Sequence, residues 1–323
     1  MKPLKIGSIK LKNPLILAPM VDVTDSAYRQ ICKKQGASLT FTQMLYTSQI
    51  INKNKKTKKL MKFDKSERPI GIQITGNSLK EFESCIPYLK PYDIIDLNCG
   101  CPSIKITGNQ AGSYLLKNPE KIASIIKLLK SAFPEKAITA KIRLGFKTNN
   151  VIKIAKAIES AGADAITLHS RLAIDGSSIP ANHKCTKKLV SSLKIPVIAN
   201  GDIFSGADAL RILKDTGCNA IMIARGAIGD PKIFKRILYY LKNGKEKQRN
   251  QKENLKLFLE YIKLSKSLKI EDLGRTKYLG IQFIKGIENA PKLRNQFSKL
   301  SSIKEIESFV KNLLKNNYGN LFS

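Results

Sequence analysis

Short apolar runs recur along the chain at roughly 30-residue intervals, the length of one strand plus one helix. They are "PLILAPM" (14–20), "SLTFTQM" (38–44), "PIGIQITG" (69–76), "DIIDLNCGC" (93–101), "AITAKIRLG" (137–145), "AITLHSR" (165–171), "PVIANGDI" (196–203) and "AIMIARGAIG" (220–229). Amphipathic stretches lie between them, among them 78–90, 118–133, 150–163 and 206–217, with Asn or Ser near several starts and Gly after several ends. Eight such strand–helix units predict an α/β fold, a parallel (β/α)8 TIM barrel rather than an open sheet. Past residue 240 the pattern changes. A charged linker, "KNGKEKQRN" (242–250), leads into segments with apolar residues three and four apart, the mark of helices. The expected organisation is a barrel over 1–241 and a small helical domain over 242–323.

In a barrel the C-terminal ends of the strands deliver side chains into one shared pocket. Aligned strand by strand, those ends offer Met20, Gln73, Asn98 with Cys101, Lys141 with Arg143, His169 with Arg171, Asn200 with Asp202, and Arg225. Gly201, Gly226 and Gly229 fall where the last two strands turn outward, and backbone amides there form a phosphate cradle in many barrels. Arg225 adds charge to it. A phosphate at that end and Lys141 aimed into the pocket predict flavin mononucleotide, whose anionic reduced ring needs a cation near its pyrimidine edge. Gln73 and Met20 stand on neighbouring strands where they could bond or cover the ring. No G-x-G-x-x-G follows a strand, which argues against a bound dinucleotide.

Charge extends the picture. The 323 residues hold 57 Lys+Arg against 25 Asp+Glu, a net +32 that is self-repulsive unless a polyanion shares the surface. An AT-biased genome would also produce a Lys-, Ile- and Asn-rich, Trp-free chain, so position carries the argument for nucleic acid. The cluster "NKNKKTKKLMKFDK" (52–65) follows the second strand on the catalytic-face side, where a phosphate backbone crossing the pocket would meet it. Residues 231–323 hold 21 Lys+Arg against 8 Asp+Glu. No apolar run reaches the length of a membrane span and the N-terminus does not read as a secretory signal, so the expectation is a soluble, cytoplasmic monomer with no membrane partner. Six scattered cysteines without a C-x-x-C, and two histidines, His169 and His183, without ligand spacing, predict neither a disulfide framework nor a metal site.

The stretch "DIIDLNCGCPSIK" (93–105) places Cys99 and Cys101 two positions apart. A thiol with pKa ~8.5 is protonated at neutral pH and can serve as a general acid, a role worth ~10²–10⁴ in rate. Strand alternation does not decide which cysteine faces the pocket across the turn at Gly100. Free cysteine is usually a small buried hydrophobe, the reading adopted for Cys99.

The motifs "LILAPMVDVTDSAYR", "IQITG", "DLNCGCPSIKITGNQAGSYLL", "AKIRLG", "LHSR", "VIANGDI" and "IARGAIGDPKIF" resemble those of the tRNA-dihydrouridine synthases, and the likeness extends more weakly to "GRTKYLGIQFIKGIENAPKLR". The resemblance implies a flavoenzyme that NADPH (or NADH) reduces and that passes hydride to carbon 6 of a uracil in tRNA while a thiol protonates carbon 5. The implied acid is Cys101, the cysteine directly before Pro102. The resemblance also implies Pro19, Met20 and Val21 at the flavin ring edge, Gln73 and Lys141 at its polar rim, His169, Asn200, Gly201 and Asp202 at its tail, and Ala224 and Arg225 at its phosphate. Asn98 and Arg143 are implied contacts to flavin or uracil. A uridine inside folded tRNA must be swung out into the pocket, and remote phosphate contacts must offset the cost. The chain departs from the family pattern at Gln43, where Glu is usual, and in "DGSSIPANHK" (175–184), where Asn182 and His183 replace a common aromatic. Two other readings remain at this stage: a flavin barrel reducing a free pyrimidine, and a catalytically silent tRNA-binding barrel.

Overall fold

The computed structural model describes residues 4–315; residues 1–3 and 316–323, the outer ends of the two expected segments, lie outside the described residues. The chain opens with an antiparallel hairpin, β1 (Lys5–Ile6) and β2 (Ile9–Lys10), which the periodicity did not anticipate. Then follow β3 (Leu15–Leu17), β4 (Thr40–Phe41), β5 (Leu45–Tyr46), β6 (Ile70–Thr75), β7 (Ile94–Cys99), β8 (Ala137–Arg143), β9 (Ala165–His169), β10 (Val197–Asn200) and β11 (Ala220–Ile223). The sheet runs in parallel from β4 through β6 to β11, and β11 pairs with β3. A parallel bridge between Ile16 and Leu39 brings β3 against the start of β4 and completes the ring. The eight expected strand positions are all present. The second is split into β4 and β5, both paired to β6, because the Thr42 hydroxyl takes over the ladder bond of the Gln73 N–H at 3.1 Å.

The helices between strands start where the capping residues stand. Ser78, Asn118 and Ser205 each accept the N–H three residues on, at the heads of helices Leu79–Leu89, Pro119–Ala132 and Gly206–Thr216. The last of these ends on Gly217 at φ +68°, a conformation that favours glycine.

Strand alternation sorts side chains into two sets. Ile95, Leu97, Cys99, Ile138, Ala140 and Ile142 pack outward beneath the helices. Ile94, Ala137, Ala165, Ile198, Ala220 and Met222 point inward, and Leu4, Ile6 and Leu11 of the N-terminal hairpin region close the bottom of that inner cluster. Above this apolar floor the inward positions turn polar: Gln73, Asp96 and Thr139, then Asn98 and Lys141, which are paired in register. The barrel is therefore a plug of hydrocarbon with a polar mouth.

The helix Ile233–Asn243 ends at Gly244, φ +69°, and a short irregular stretch leads to helices Gln251–Ser267, Leu273–Phe283, Ala290–Lys299 and Ile303–Lys315. These four share one apolar cluster with the barrel, running from Leu15 and Tyr28 through Phe234 to Phe258, Phe283 and Phe297. Phe258 stacks on Phe283 with ring centroids 5.1 Å apart. At the seam Asp25 is buried and accepts bonds from Tyr261 Oη (3.0 Å) and Arg275 Nη1 (2.7 Å). Asp25 also caps the helix Ser26–Lys34, so the helical region is fastened to the loop that follows β3.

Candidate active site

The inward polar positions hold one another in a defined chain. Asp96 accepts from Gln73 Nε2 at 2.7 Å and from Thr139 Oγ1 at 2.6 Å. Gln73 Oε1 in turn accepts from Asn98 Nδ2 at 2.9 Å. Asn98 Oδ1 then accepts the backbone N–H of Gly100 (3.1 Å) and of Cys101 (3.0 Å). A carboxyl in the barrel interior thus sets the orientation of two amides in succession, and the second fixes the backbone that carries Cys101. Burial pushes the Asp96 carboxyl up to about 6 against the pull of Thr139, Gln73 and Lys141.

The two cysteines occupy different environments. Cys99 points outward into the helix layer, is fully buried, and burial followed by Asp96 pushes its thiol well up. Cys101 has partial access to solvent, and among the described residues every other cysteine is buried. Arg143 braces the loop from the next strand: its Nε donates to Gly100 O at 2.9 Å and its Nη1 to Leu172 O at 2.7 Å. Lys141 and Arg143 both feel the Cys101 side chain electrostatically.

Beside this loop lies a cavity of about 260 Å³. Of the expected cofactor residues it is lined by Pro19, Lys141, His169, Asn200, Gly201, Asp202, Ala224 and Arg225, with Arg143 beside them. Met20, Val21, Gln73, Asn98 and Cys101 lie outside this enclosed part. Val21 is exposed, at 55 %, and Met20 packs partly into the core. The amides of Gln73 and Asn98 are engaged in the chain that holds Cys101.

Lys141 contributes a cation with no hydrogen bond to any described protein group. Burial, then Arg143, pulls its ammonium down to about 8, opposed by Asp96 and Cys101. His169 is neutral: burial, then Lys141, Arg143, Arg171 and Arg225, drives it down to about 2. Arg171 Nη1 lies 3.0 Å from His169 Nε2, and a guanidinium only donates, so Nε2 accepts and the ring proton sits on Nδ1.

Arg171 is the organiser that sequence reasoning noted at its strand end without giving it a role. Its Nη2 donates to both Asp202 oxygens at 2.7 and 2.6 Å, and its Nε to Ile179 O at 2.5 Å, so it ties the 172–182 loop to the end of β10. Arg225 Nη2 donates to the same carboxylate at 2.8 Å and its guanidinium lies over the Phe204 ring, 5.4 Å from the centroid and within the ~6 Å reach of a cation–π contact. Burial pushes Asp202 up, but Arg171, the Ala181 N–H and Arg225 outweigh it and hold the carboxyl below its usual value. Phe204 had no signal in the sequence beyond following "NGDI". Space at this end is closed to side chains. A Cβ on Gly226 would stand 2.3 Å from Ile203 O, and one on Gly201, whose φ is +123°, 2.9 Å from Ala181 Cβ.

Residues 16–318 match the family model for dihydrouridine synthase. The tRNA-dihydrouridine synthase B of Vibrio vulnificus (strain CMCP6) is 34% identical over 307 residues, covering 93% of this chain and 95% of that protein. A probable tRNA-dihydrouridine synthase of Aquifex aeolicus (strain VF5) is 32% identical over 307 residues, covering 91% and 94%. The chain belongs to the dihydrouridine synthase family. It is an oxidoreductase acting on a CH–CH bond. The fold also matches histamine dehydrogenase from Rhizobium sp. 4-9, with a TM-score of 0.59, 14% identity, and coverage of 81% of this chain and 50% of that one. An old yellow enzyme homologue from Zymomonas mobilis matches with a TM-score of 0.55, 12% identity, and coverage of 76% and 93%.

Both departures from the dihydrouridine synthase pattern have a place in the geometry. Gln43 Oε1 accepts the Asp22 N–H at 3.0 Å and so holds the loop after β3, a bond a carboxylate would also accept. His183 Nε2 lies 3.1 Å from Gly201 O and donates to it, which supports the turn at the end of β10. Among the described residues no group of His, Cys, Asp and Glu is arranged to hold a metal ion, and no helix is long and apolar enough to cross a membrane.

Proposed function

We propose that this protein reduces the carbon 5–carbon 6 double bond of specific uridines in tRNA, with FMN in the cavity and NADPH or NADH as reductant. The relatives, which are named tRNA-dihydrouridine synthases, and the net charge of +32 support tRNA as the substrate. The observation that carries the chemistry is the placing of Lys141, a half-buried ammonium with no hydrogen bond to any described protein group, in electrostatic contact with the partly accessible Cys101 on its fixed loop.

The residues present fit the cofactor. Gly201, Gly226, Ala224 and Arg225 offer a close-approach cradle and a cation for the phosphate, with His169, Asn200 and Asp202 along the tail. Pro19, Met20 and Val21 would meet the edge of the ring, and Lys141 would face its electron-rich side. Gln73 serves the rim and acts through Asn98 on the acid. Bound FMN, once reduced, supplies hydride to carbon 6 of the uracil.

The chain's own residues do the rest. Cys101 Sγ–H gives its proton to carbon 5, so that the base gains one hydride and one proton and the thiolate is re-protonated from solvent. Lys141 and Arg143 stabilise negative charge as it develops on the thiolate. Asn98 and Arg143 keep the Cys101 loop in place, and Asp96 and Gln73 keep Asn98 in place. The neutral His169 leaves the arginines as the cations of the phosphate end.

The purified protein is expected to carry flavin absorbance that NADPH bleaches and tRNA restores under anaerobic conditions. Restoration by free uracil or uridine at the same rate, without tRNA, would overturn the assignment of tRNA as substrate.

A further inference from the structure

A second cleft opens on the same face of the barrel and shares no lining residue with the flavin cavity. It measures about 420 Å³ and lies between the end of β6, the helix Thr47–Ile51 and the loop that follows Cys101. Its walls carry Tyr46, Gln49, Asn77, Glu81, Asn109 and Gln110. Neither Lys nor Arg lines it, in a chain where those residues are more than twice as numerous as the acids.

That lining selects the class of occupant. Glu81 accepts from Thr47 Oγ1 at 2.6 Å and keeps a carboxylate at the wall, so a phosphate is repelled. Side-chain amides offer donors and acceptors side by side, the pattern that reads the edge of a nucleobase, and Glu81 can accept from an exocyclic amino group. Gln110 makes no side-chain hydrogen bond to the described protein, and Asn77 spends only its Nδ2, on Asn109 O at 3.0 Å.

Position says which nucleobase. On one side the wall is the catalytic loop itself: Ser113 N donates to Cys101 O at 2.9 Å, and Gly112 N to Thr75 Oγ1 at 3.1 Å, directly after Gln110 and Ala111. On the other side Asn54 N donates to Gln49 O at 3.1 Å at the entry to the lysine helix Lys55–Met61. A strand running from the Cys101 loop to the lysine helix would pass over the cleft, with its phosphates near the lysines and its bases toward the amides.

We infer that the cleft seats an unpaired nucleobase of the tRNA strand that carries the target uridine. This rests on tRNA being the substrate. Seating a neighbour beside the catalytic loop helps hold the target base out of its stack, which costs a few kcal/mol.

The test is a double-mutant cycle between protein and RNA, run once the reduced uridine has been located with the wild-type enzyme. Each nucleotide flanking that uridine is replaced in turn by an abasic residue, and KM and kcat are measured for wild type and for the double variant Asn77→Ala, Gln110→Ala. For wild type one abasic position is expected to raise KM roughly tenfold, the cost of losing a base contact. The double variant is expected to show the same roughly tenfold rise with intact tRNA and no further rise with that abasic tRNA. NADPH reduction of the flavin is expected to be unchanged.

Additive effects, or no effect of the double variant on KM for tRNA, would overturn the inference. So would a raised KM for NADPH with tRNA kinetics intact, which would make the reductant the occupant. Failure of the wild type to reduce any tRNA would instead overturn the substrate assignment, so the two are told apart. Normal flavin content in the double variant establishes that it is folded.

Discussion

Three residues in a row along one barrel strand show how a side chain's role depends on the face it takes. Asp96 and Asn98 point into the barrel and build the hold on Cys101, while Leu97 between them is core. Asp96 gives a pH signature. Its folded carboxyl, raised to about 6, keeps a proton that the unfolded chain, near 3.9, has released. The associated stability is fully present below pH ~4 and lost as pH rises through ~6, up to about 3 kcal/mol. Urea titrations at pH 4, 5, 6 and 7 are expected to show this slope in the wild type and its loss in Asp96→Asn. Asn98→Ala strips the acceptor from two backbone N–H groups and loosens the acid. It is expected to lower kcat about 10- to 100-fold at unchanged flavin content, checked by single-turnover assay.

Which strand ends would be polar was legible from alternation, and so was the cation at Lys141. The relay from Asp96 to Cys101 was not. The sequence shows that the amides of Gln73 and Asn98 face inward, but not that they also bond neighbouring strands and the Cys101 backbone. Strand alternation alone did not separate Cys99 from Cys101; the outward register of Cys99 does.

At the level of elements, the lysine-rich segment is rigidly placed. Arg29 and Glu67 form a fully buried pair at 2.6 Å. Arg29 also donates to Thr24 O at 2.9 Å and Lys62 O at 2.8 Å, and Glu67 accepts from Ser26 Oγ at 2.5 Å and Asp64 N at 2.8 Å. This knot ties the end of the lysine helix to the helix after β3. Removing one partner leaves a buried charge alone, so Glu67→Ala is expected to cost about 3–5 kcal/mol, read by urea denaturation. The pairing joins residues 38 positions apart, so periodicity could not reveal it. The helix heads at Ser78, Asn118 and Ser205 were readable, because capping is local. The hairpin that floors the barrel was not, since two-residue strands carry too little pattern.

For the whole molecule, the continuous core and the Asp25–Tyr261–Arg275 contacts make barrel and helical region one scaffold for a large polyanion. Its basic residues are spread across both parts, from the helix Lys55–Met61 to the C-terminal helices. With 6–10 phosphate contacts, binding to tRNA is expected to weaken about 10³- to 10⁵-fold between ~50 and ~200 mM salt. Replacing Lys55, Lys58 and Lys59 by Glu is expected to flatten that slope, as measured by filter binding.

The central claim is that Cys101 delivers the proton that completes reduction of a tRNA uracil. Its most direct test is the mass of tRNA after a single turnover with pre-reduced enzyme, compared for wild type, Cys99→Ala and Cys101→Ala. The account predicts that wild type and Cys99→Ala add two hydrogen atoms per modified uridine at similar rates, and that Cys101→Ala, with flavin bound and reduced, is slower by about 10²-fold or more. Wild-type rates for Cys101→Ala would contradict it.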